Sequence, residues 1–151
     1  MIPDLPIDID LIKGFLAPDE AAALYQHALQ ASSAGPVLEI GSYCGKSTVC
    51  LGLACQRNDS ILFALDHHRG SEEHQIGEMF HDPELFDSKA ESMDSFREFR
   101  RNIRAAGLEE VVVPIVALMS FLIGVVLAFL FVLVHIAGRR WASAGRFDDI
   151  R

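Results

Sequence analysis

The sequence predicts an α/β fold, namely one half of a doubly wound parallel sheet, and three observations support this prediction. Short apolar runs at residues 37–40, 61–65 and 111–116 have the length and composition of buried strands. Helical patterns precede the first run and separate the others, which is the element order of a parallel sheet. Glycines follow the first run immediately, at the place where such a sheet binds its ligands.

Three helices accompany these strands in the prediction. The first spans residues 18–29, with a proline in its first turn and acids near its positive end. The second follows the glycines and spans residues 46–55. The third begins at Ser95, because Ser95 and Glu98 have the spacing of a capping box, and it ends at Gly107, which suits a left-handed cap.

A polar segment, residues 66–94, separates the second strand from the third helix and is predicted to be a long loop outside the core. It contains the histidines His67, His68, His74 and His81. With the neighbouring carboxylates they could be metal ligands, because imidazole and carboxylate suit zinc, iron or manganese. Their spacing fixes no coordination geometry, so solvated loop residues are the favoured interpretation and no metal site is predicted.

Composition limits the function classes. The chain has 151 residues with 50% hydrophobic content, which allows one domain with a core. Its net charge of -8 repels nucleic acid, so no nucleic-acid partner is predicted. The first residues lack a secretory signal, so a cytoplasmic domain is predicted. The closely spaced cysteines lack a zinc-site pattern and are predicted to be reduced, packed thiols: Cys44, Cys50 and Cys55.

Residues 118–138 form an uncharged apolar stretch, in which fourteen of the 21 residues are Leu, Ile, Val or Phe. A helix of that length is roughly 31 Å long, which matches the thickness of a bilayer core. The stretch predicts a single-pass transmembrane helix followed by a short basic tail, residues 139–151. The alternative is a buried fourth strand at residues 125–134 in a soluble cytoplasmic protein. Arginines flank both ends, so the charge rule does not decide the orientation.

Two strand ends and a glycine turn predict the binding site. Gly41 and Gly45 lack a Cβ, so backbone N–H groups and the positive end of the next helix can approach a ligand closely. Glu39 lies at the end of the first strand, and Asp66 ends the second, 27 residues later. Carboxylates at neighbouring strand ends accept hydrogen bonds from ribose hydroxyls. The pattern therefore favours a nucleoside over a bare phosphate.

With Glu-Ile-Gly-Ser-Tyr-Cys-Gly at residues 39–45, the chain resembles the class I S-adenosylmethionine-dependent methyltransferases. Asp-His-His-Arg-Gly-Ser-Glu-Glu at residues 66–73 resembles a bacterial branch of generic small-molecule members. The resemblance covers about residues 11–116. It implies a Rossmann-like half sheet, S-adenosylmethionine as cofactor and a small-molecule methyl acceptor. In such enzymes the protein mainly orients the methyl donor against a nucleophile.

The resemblance also implies roles for individual residues. The turn would hold the methionine part of the cofactor, through Gly41, Ser42, Tyr43 and Gly45. Asp66 would accept the ribose hydroxyls, and Glu39 would support the turn or contact the methionine amino group. His67 follows Asp66 directly and is included among the cofactor-binding residues. It is also the first candidate for proton handling, because histidine side chains titrate near neutral pH. No catalytic base is assigned.

The predicted organisation has four parts. Residues 1–36 form a helical lead-in, residues 37–116 a partial cofactor-binding domain, residues 118–138 the hydrophobic segment and residues 139–151 the tail. Complete family members continue after the third strand with the second half of the sheet. We therefore expect a chain that is truncated at this point, and its activity is left open.

Two other interpretations stay open. The first is a membrane-anchored domain that binds a nucleoside without catalysis. The second is a phosphate-binding loop, because Gly41, Gly45, Lys46 and Ser47 match that motif except for one missing residue. Glu39 would repel phosphates there, so this second interpretation is disfavoured.

Overall fold

The computed structural model describes residues 5–116 and Phe131. The chain divides into two compact units, Met1–Val116 and Ala117–Arg151, and the fold reported below is that of the first. Within the described residues no helix combines the length and the apolar character needed to cross a bilayer. The transmembrane helix predicted at residues 118–138, like the alternative strand there, lies outside the described part except for Phe131 and stays a prediction.

The described elements follow one another as helices and strands of an α/β fold. In chain order they are α1 (Pro18–Ser32), β1 (Val37–Ile40), α2 (Lys46–Arg57), β2 (Leu62–Asp66), β3 (Phe86–Asp87), β4 (Ser92–Met93), α3 (Phe96–Ala105) and β5 (Val112–Val116). Strands β1, β2 and β5 form a parallel sheet in the order β1-β2-β5, and β3 pairs with β4 in a separate antiparallel hairpin. The predicted Rossmann-like half sheet of three parallel strands is confirmed.

Side chains alternate across this sheet, and the register shows which of them share a face. Glu39 pairs with Ala64, and both are buried on the face that α2 contacts. Leu38 and Ile40 point to the opposite face and are 58% and 75% exposed. The prediction that residues 37–40 form a buried strand is therefore wrong for the described unit. Glu39 is buried because α2 covers its face of the sheet. Leu38 and Ile40 are exposed because they lie on the opposite face.

Strand β5 lies at one edge of the described sheet, and its proline suits that place. The Leu62 N–H donates to the Val111 carbonyl, so the alternate residues of β5, including Pro114, turn their backbone nitrogens away from β2. Proline has no N–H to donate, and at an outward position none is required by the sheet. On the side of β5 that faces away from β2, Pro114 therefore offers no N–H donor to a further strand.

The polar segment at residues 66–94 is more ordered and better packed than predicted. It contains the β3–β4 hairpin, and three of its side chains are between 2% and 3% exposed: His68, Leu85 and Met93. The expectation that this loop stays out of the core is therefore wrong. Two apolar residues at its far end and one aromatic ring at its start are enough to anchor the loop, although its average composition is polar.

Helix α3 confirms the predicted apolar face and the left-handed cap at Gly107, but not the predicted capping box at Ser95. Phe99 and Ile103 are buried, and Gly107 has a φ of +67°, as a left-handed cap requires. The Ser95 hydroxyl makes no capping hydrogen bond and lies 3.0 Å from His68 Nδ1 instead. Asp94 accepts from the Phe96 N–H at 3.0 Å in place of the predicted capping box.

The cysteines are free and buried, as predicted: Cys44, Cys50 and Cys55. Burial raises the pKa of the Cys44 thiol to about 12 and that of Cys50 to about 11. These thiols are therefore protonated at neutral pH and act as small apolar side chains.

Gly52 sets the distance between α2 and the elements packed beneath it. A Cβ at this position would lie 2.9 Å from Leu108 Cδ1 and 3.1 Å from Val112 Cγ2, and both partners are buried. We expect Gly52→Val to lower the free energy of unfolding by about 1–3 kcal/mol, because the packed interior cannot absorb the added methyl groups. The same side chain introduced at the exposed position of Ala23 in α1 should cost only about 0.5 kcal/mol. Equal losses in urea unfolding would contradict this packing argument.

Candidate functional site

The glycine turn, residues 41–45, connects β1 to α2 through left-handed backbone. The φ angles are +87° at Gly41, +47° at Tyr43 and +90° at Gly45, and the Gly45 N–H donates to the Ser42 carbonyl at 2.8 Å. A Cβ on Gly45 would lie 3.3 Å from Phe99 Cδ2, whereas a Cβ on Gly41 would meet no atom within 4 Å. Gly45 thus allows α3 to pack against the turn, and Gly41 leaves open space beside it.

Asp66 lies at the end of β2 and holds this turn. Its carboxylate accepts hydrogen bonds from the backbone N–H groups of Tyr43 and His68, each at 2.7 Å. Tyr43 and His68 are also the two residues beside Asp66 with left-handed φ angles, +47° and +57°. Each carboxylate oxygen has two lone pairs, so one on each oxygen is left for a further donor.

Glu39 has different surroundings from Asp66, although both lie near the carboxyl ends of neighbouring strands. Its carboxylate accepts from the Ser47 hydroxyl at 2.5 Å and from the Thr48 hydroxyl at 2.6 Å, in the first turn of α2. Burial raises the pKa of Glu39, the two hydroxyls oppose that rise, and the nearby Asp66 charge adds to it. The two acids are therefore close, but Glu39 supports the turn from within. Contact with the methionine amino group stays a prediction.

Helix α3 adds a further contact that the sequence analysis missed. Asn102 donates from Nδ2 to the Cys44 carbonyl at 2.8 Å, which ties the helix to the middle of the glycine turn. Asn102 lies between Phe99 and Ile103 on the buried face of α3. A polar residue in an otherwise apolar helical stripe is the sequence signal that could have identified it.

His68, the neighbour of the candidate His67, is the buried histidine of the site. Its ring is 2% exposed, with centroids 4.9 Å from the Phe96 ring and 5.2 Å from the Phe99 ring. Its Nε2 atom and the Ser42 Oγ are both buried with no hydrogen-bond partner among the described residues. Burial lowers the pKa of His68, although Asp66 and Asp94 favour the charged ring.

The other histidines of the loop have their own local contacts. His67 is half-buried, and its Nδ1 accepts from the Arg69 N–H at 2.9 Å. His74 Nδ1 lies 2.9 Å from the Ser71 hydroxyl, and His81 Nδ1 lies 3.2 Å from the His74 carbonyl. In the part of the chain that the structure describes, no three His, Cys, Asp or Glu side chains are grouped as metal ligands. A proton-handling role for His67 stays a prediction.

Two contacts disfavour the phosphate-binding alternative. Lys46 is the residue that would bind phosphate in that motif, but its Nζ lies 3.8 Å from Asp10 Oδ1 and its side chain is mostly buried. Ser47, which would bind the accompanying magnesium, donates to Glu39. Both side chains are therefore engaged within the protein.

The site fits a nucleoside cofactor. Open space beside Gly41 allows close approach to the backbone, and the free lone pairs of Asp66 suit two neighbouring hydroxyls. The buried Ser42 hydroxyl still has hydrogen-bonding capacity in the turn itself. These residues are among those predicted from the sequence, and the structure brings them to one end of the sheet.

The lowered pKa of His68 predicts a pH-dependent stability. Its ordinary value is 6.5, so as pH falls the unfolded chain takes up this proton more readily than the folded one. The stabilisation is therefore present above about pH 6.5 and is lost at lower pH. Asparagine tolerates a left-handed φ, so His68→Asn removes the titrating ring without straining the backbone. We expect this variant to have a melting temperature that depends less on pH between about pH 8 and pH 5. His27→Asn, on the exposed side of α1, should keep the wild-type slope; equal slopes in all three proteins would contradict the prediction.

Comparison with known proteins identifies the family. A family described as a methyltransferase domain matches residues 38–143, which is more than half of the chain. The fold is similar to cofactor-bound Rv0187 from MTB, at 20% identity and a TM-score of 0.45. It is also similar to a proposed O-methyltransferase from Klebsiella pneumoniae, at 19% identity and a TM-score of 0.43. Each comparison covers 71% of this chain, which spans 37% of the length of either structure. The chain belongs to the class I S-adenosylmethionine-dependent methyltransferases, as its sequence predicted, and S-adenosylmethionine is the cofactor of that family.

Proposed function

We propose that this chain binds S-adenosylmethionine at the carboxyl ends of β1 and β2 and transfers its methyl group to a small molecule. The observation that carries the proposal is the 2.7 Å hydrogen bond from the Tyr43 N–H to the Asp66 carboxylate. This bond joins the glycine turn to the acid of the next strand. A turn suited to the methionine part and an acid suited to the ribose are thus held side by side.

The proposed roles follow from the hydrogen-bonding capacity that each group has not used within the protein. Asp66 accepts the ribose hydroxyls with the lone pairs that its two backbone bonds do not use. Gly41, Ser42, Tyr43 and Gly45 present the backbone of the turn to the methionine part. Glu39 acts indirectly, since its carboxylate fixes the first turn of α2 from behind.

Catalysis in this proposal rests on orientation. Bound S-adenosylmethionine supplies a methyl group on a positively charged sulfur, which is already reactive toward a nucleophile. The chain contributes a turn held at three points, by Asp66, by Asn102 and by the packing of Phe99 against Gly45. A rigid turn fixes the position of the methyl group, and fixed position is the main source of rate in such reactions.

A second candidate function is cofactor binding without methyl transfer. The chain spans 37% of each of the two solved structures, and one side of β1 has no partner strand among the described residues. The cofactor-binding end of the sheet can be complete while the site for the methyl acceptor is not. Binding and turnover therefore need separate measurements.

Calorimetric titration of the full chain with S-adenosylmethionine and S-adenosylhomocysteine tests the binding step. We expect Asp66→Ala to weaken both affinities on the order of 10- to 100-fold, because hydrogen bonds to a charged group contribute about 1.5–3 kcal/mol. Asp66→Asn keeps the size of the side chain but offers one acceptor oxygen instead of two, so it should also bind more weakly. Circular dichroism of each variant checks that it is folded.

Asp87→Ala is the matched control, because Asp87 also accepts a backbone N–H, from Lys89 at 2.9 Å, but lies in the β3–β4 hairpin. Its affinity should equal that of the wild type. If neither ligand binds the wild-type chain, both candidate functions are wrong. If both bind but no acceptor is methylated, only the second candidate is left, and unchanged affinity in the Asp66 variants would contradict the ribose assignment.

A further inference from the structure

The segment before α1 lies across the start of α2. We call residues 7–16 the N-terminal strap. A Cβ on Gly14 would lie 3.1 Å from Lys46 Cβ, and Lys46 Nζ lies 3.8 Å from Asp10 Oδ1. Ile12 anchors the strap in the core with 4% exposure. The strap is therefore packed directly beside the glycine turn, which ends at Gly45.

The strap is also bound to the tip of the long loop, residues 74–84. Lys13 Nζ lies 2.5 Å from Asp82 Oδ2 and 2.6 Å from Glu84 Oε2. The rings of Phe15 and Phe80 meet edge to face, with centroids 5.2 Å apart. Two segments that are far apart in sequence thus form one surface.

Four aromatic side chains connect this surface to the glycine turn. Starting from solvent, the row consists of Phe15, Phe80, His74 and Tyr43. The centroid distances along the row are 5.2 Å, 6.2 Å and 5.6 Å, so each ring is within the range of an aromatic contact with the next. We call these four side chains the ring row. Its inner end is part of the turn that Asp66 holds.

The outer end of the ring row is unusually exposed and apolar. Phe15 is 76% exposed, and the apolar residues of the strap and loop tip include others of similar exposure: Leu11 at 81%, Ile76 at 68% and Met79 at 86%. Phe15 contacts Phe80, so exposed apolar surface extends from the strap onto the loop tip, and an apolar surface shared by two segments marks a binding site. The core does not require them, because Ile12 and the neighbouring half-buried residues already anchor these segments.

The charges beside the ring row are in excess negative, because the Lys13 ammonium faces the two carboxylates of Asp82 and Glu84. Although burial disfavours its ammonium, hydrogen bonds to Asp82 and Glu84 raise the pKa of Lys13 well above its ordinary value. The bond to Lys13 likewise outweighs burial and lowers the pKa of Asp82. Both groups therefore stay ionised and paired at neutral pH. Burial raises the pKa of Tyr43 to about 12, so its phenol remains a neutral hydrogen-bond donor.

We propose that the N-terminal strap and the loop tip form the methyl-acceptor site, and that the ring row binds an uncharged, flat ring compound with its nucleophile directed toward Tyr43. The proposal rests on the proposed function, because a ligand on the ring row is a methyl acceptor only if the glycine turn holds the methionine part of the cofactor. Continuity with that turn favours a small acceptor over a protein partner. The excess of carboxylates favours an uncharged acceptor over an anion.

The test uses the full chain with saturating S-adenosylhomocysteine, titrated with 2-naphthol and followed by naphthalene fluorescence. 2-Naphthoate is the matched charged probe, since it has the same rings and a carboxylate. We expect 2-naphthol to bind and 2-naphthoate to bind roughly tenfold more weakly, because Lys13, the one Lys or Arg among residues 7–16 and 74–84, is already paired with two carboxylates. Phe15→Ala and Phe80→Ala should each weaken 2-naphthol binding roughly two- to tenfold through the lost ring contact.

Leu38→Ala is the control variant, because Leu38 is 58% exposed but lies on the open face of the sheet. Its affinity for 2-naphthol should equal that of the wild type. The proposal is overturned if 2-naphthol does not bind, if 2-naphthoate binds as tightly, or if the two phenylalanine variants bind it like the wild type. S-adenosylhomocysteine affinity is measured on every protein: a chain that does not bind it contradicts the proposed function, whereas normal binding without a ring-row effect contradicts the acceptor site alone.

Discussion

The conformation of the binding end of the sheet depends on the Asp66 carboxylate. Tyr43 and His68 both adopt a left-handed φ, which costs a residue with a side chain on the order of 1 kcal/mol or more. Each donates its backbone N–H to Asp66 at 2.7 Å, and a hydrogen bond to a charged acceptor contributes about 1.5–3 kcal/mol. The two effects are similar in size, so without this acceptor the observed backbone would be hard to maintain. The residue to which the proposed function assigns the ribose is therefore also the residue that holds the turn.

The constraint extends from Asp66 into α3 and returns to the turn. His68 is buried between two phenylalanines of α3, and its Nδ1 lies beside the Ser95 hydroxyl at the start of that helix. About two turns further on, Asn102 donates to the Cys44 carbonyl in the glycine turn. The contacts therefore form a closed circuit: turn, strand end, loop start, helix and turn again. Moving one member shifts the others, which explains how a turn with so few side chains can be held in a single conformation.

The sequence predicted what local chemistry determines, and it failed where partners distant along the chain decide. Strand β1, the glycine turn and the left-handed cap at Gly107 depend on neighbouring residues, and they lie where they were expected. The same is true of the acid at the end of β2. The burial of His68 could not be predicted, because it depends on which histidine faces the α3 phenylalanines. Ser95 is a similar case. Its spacing to Glu98 predicts a capping box, but its hydroxyl contacts His68, 27 residues earlier, instead.

Glu39 shows why two strand-end acids of the same sheet are not equivalent. Strand side chains alternate, so the acid of β1 falls on the face that α2 covers, where it would be a costly buried charge without donors. Ser47 and Thr48 supply those donors from the positive end of α2. Asp66 lies one residue beyond the position that pairs with Ile40, at the half-buried end of β2, and its donors are backbone groups of the turn itself. Burial encloses the unused lone pairs of Glu39, whereas those of Asp66, at the half-buried end of its strand, are open to a ligand. Under the proposed function, recognition of the ribose by Asp66 alone is a consequence of which face the helix covers.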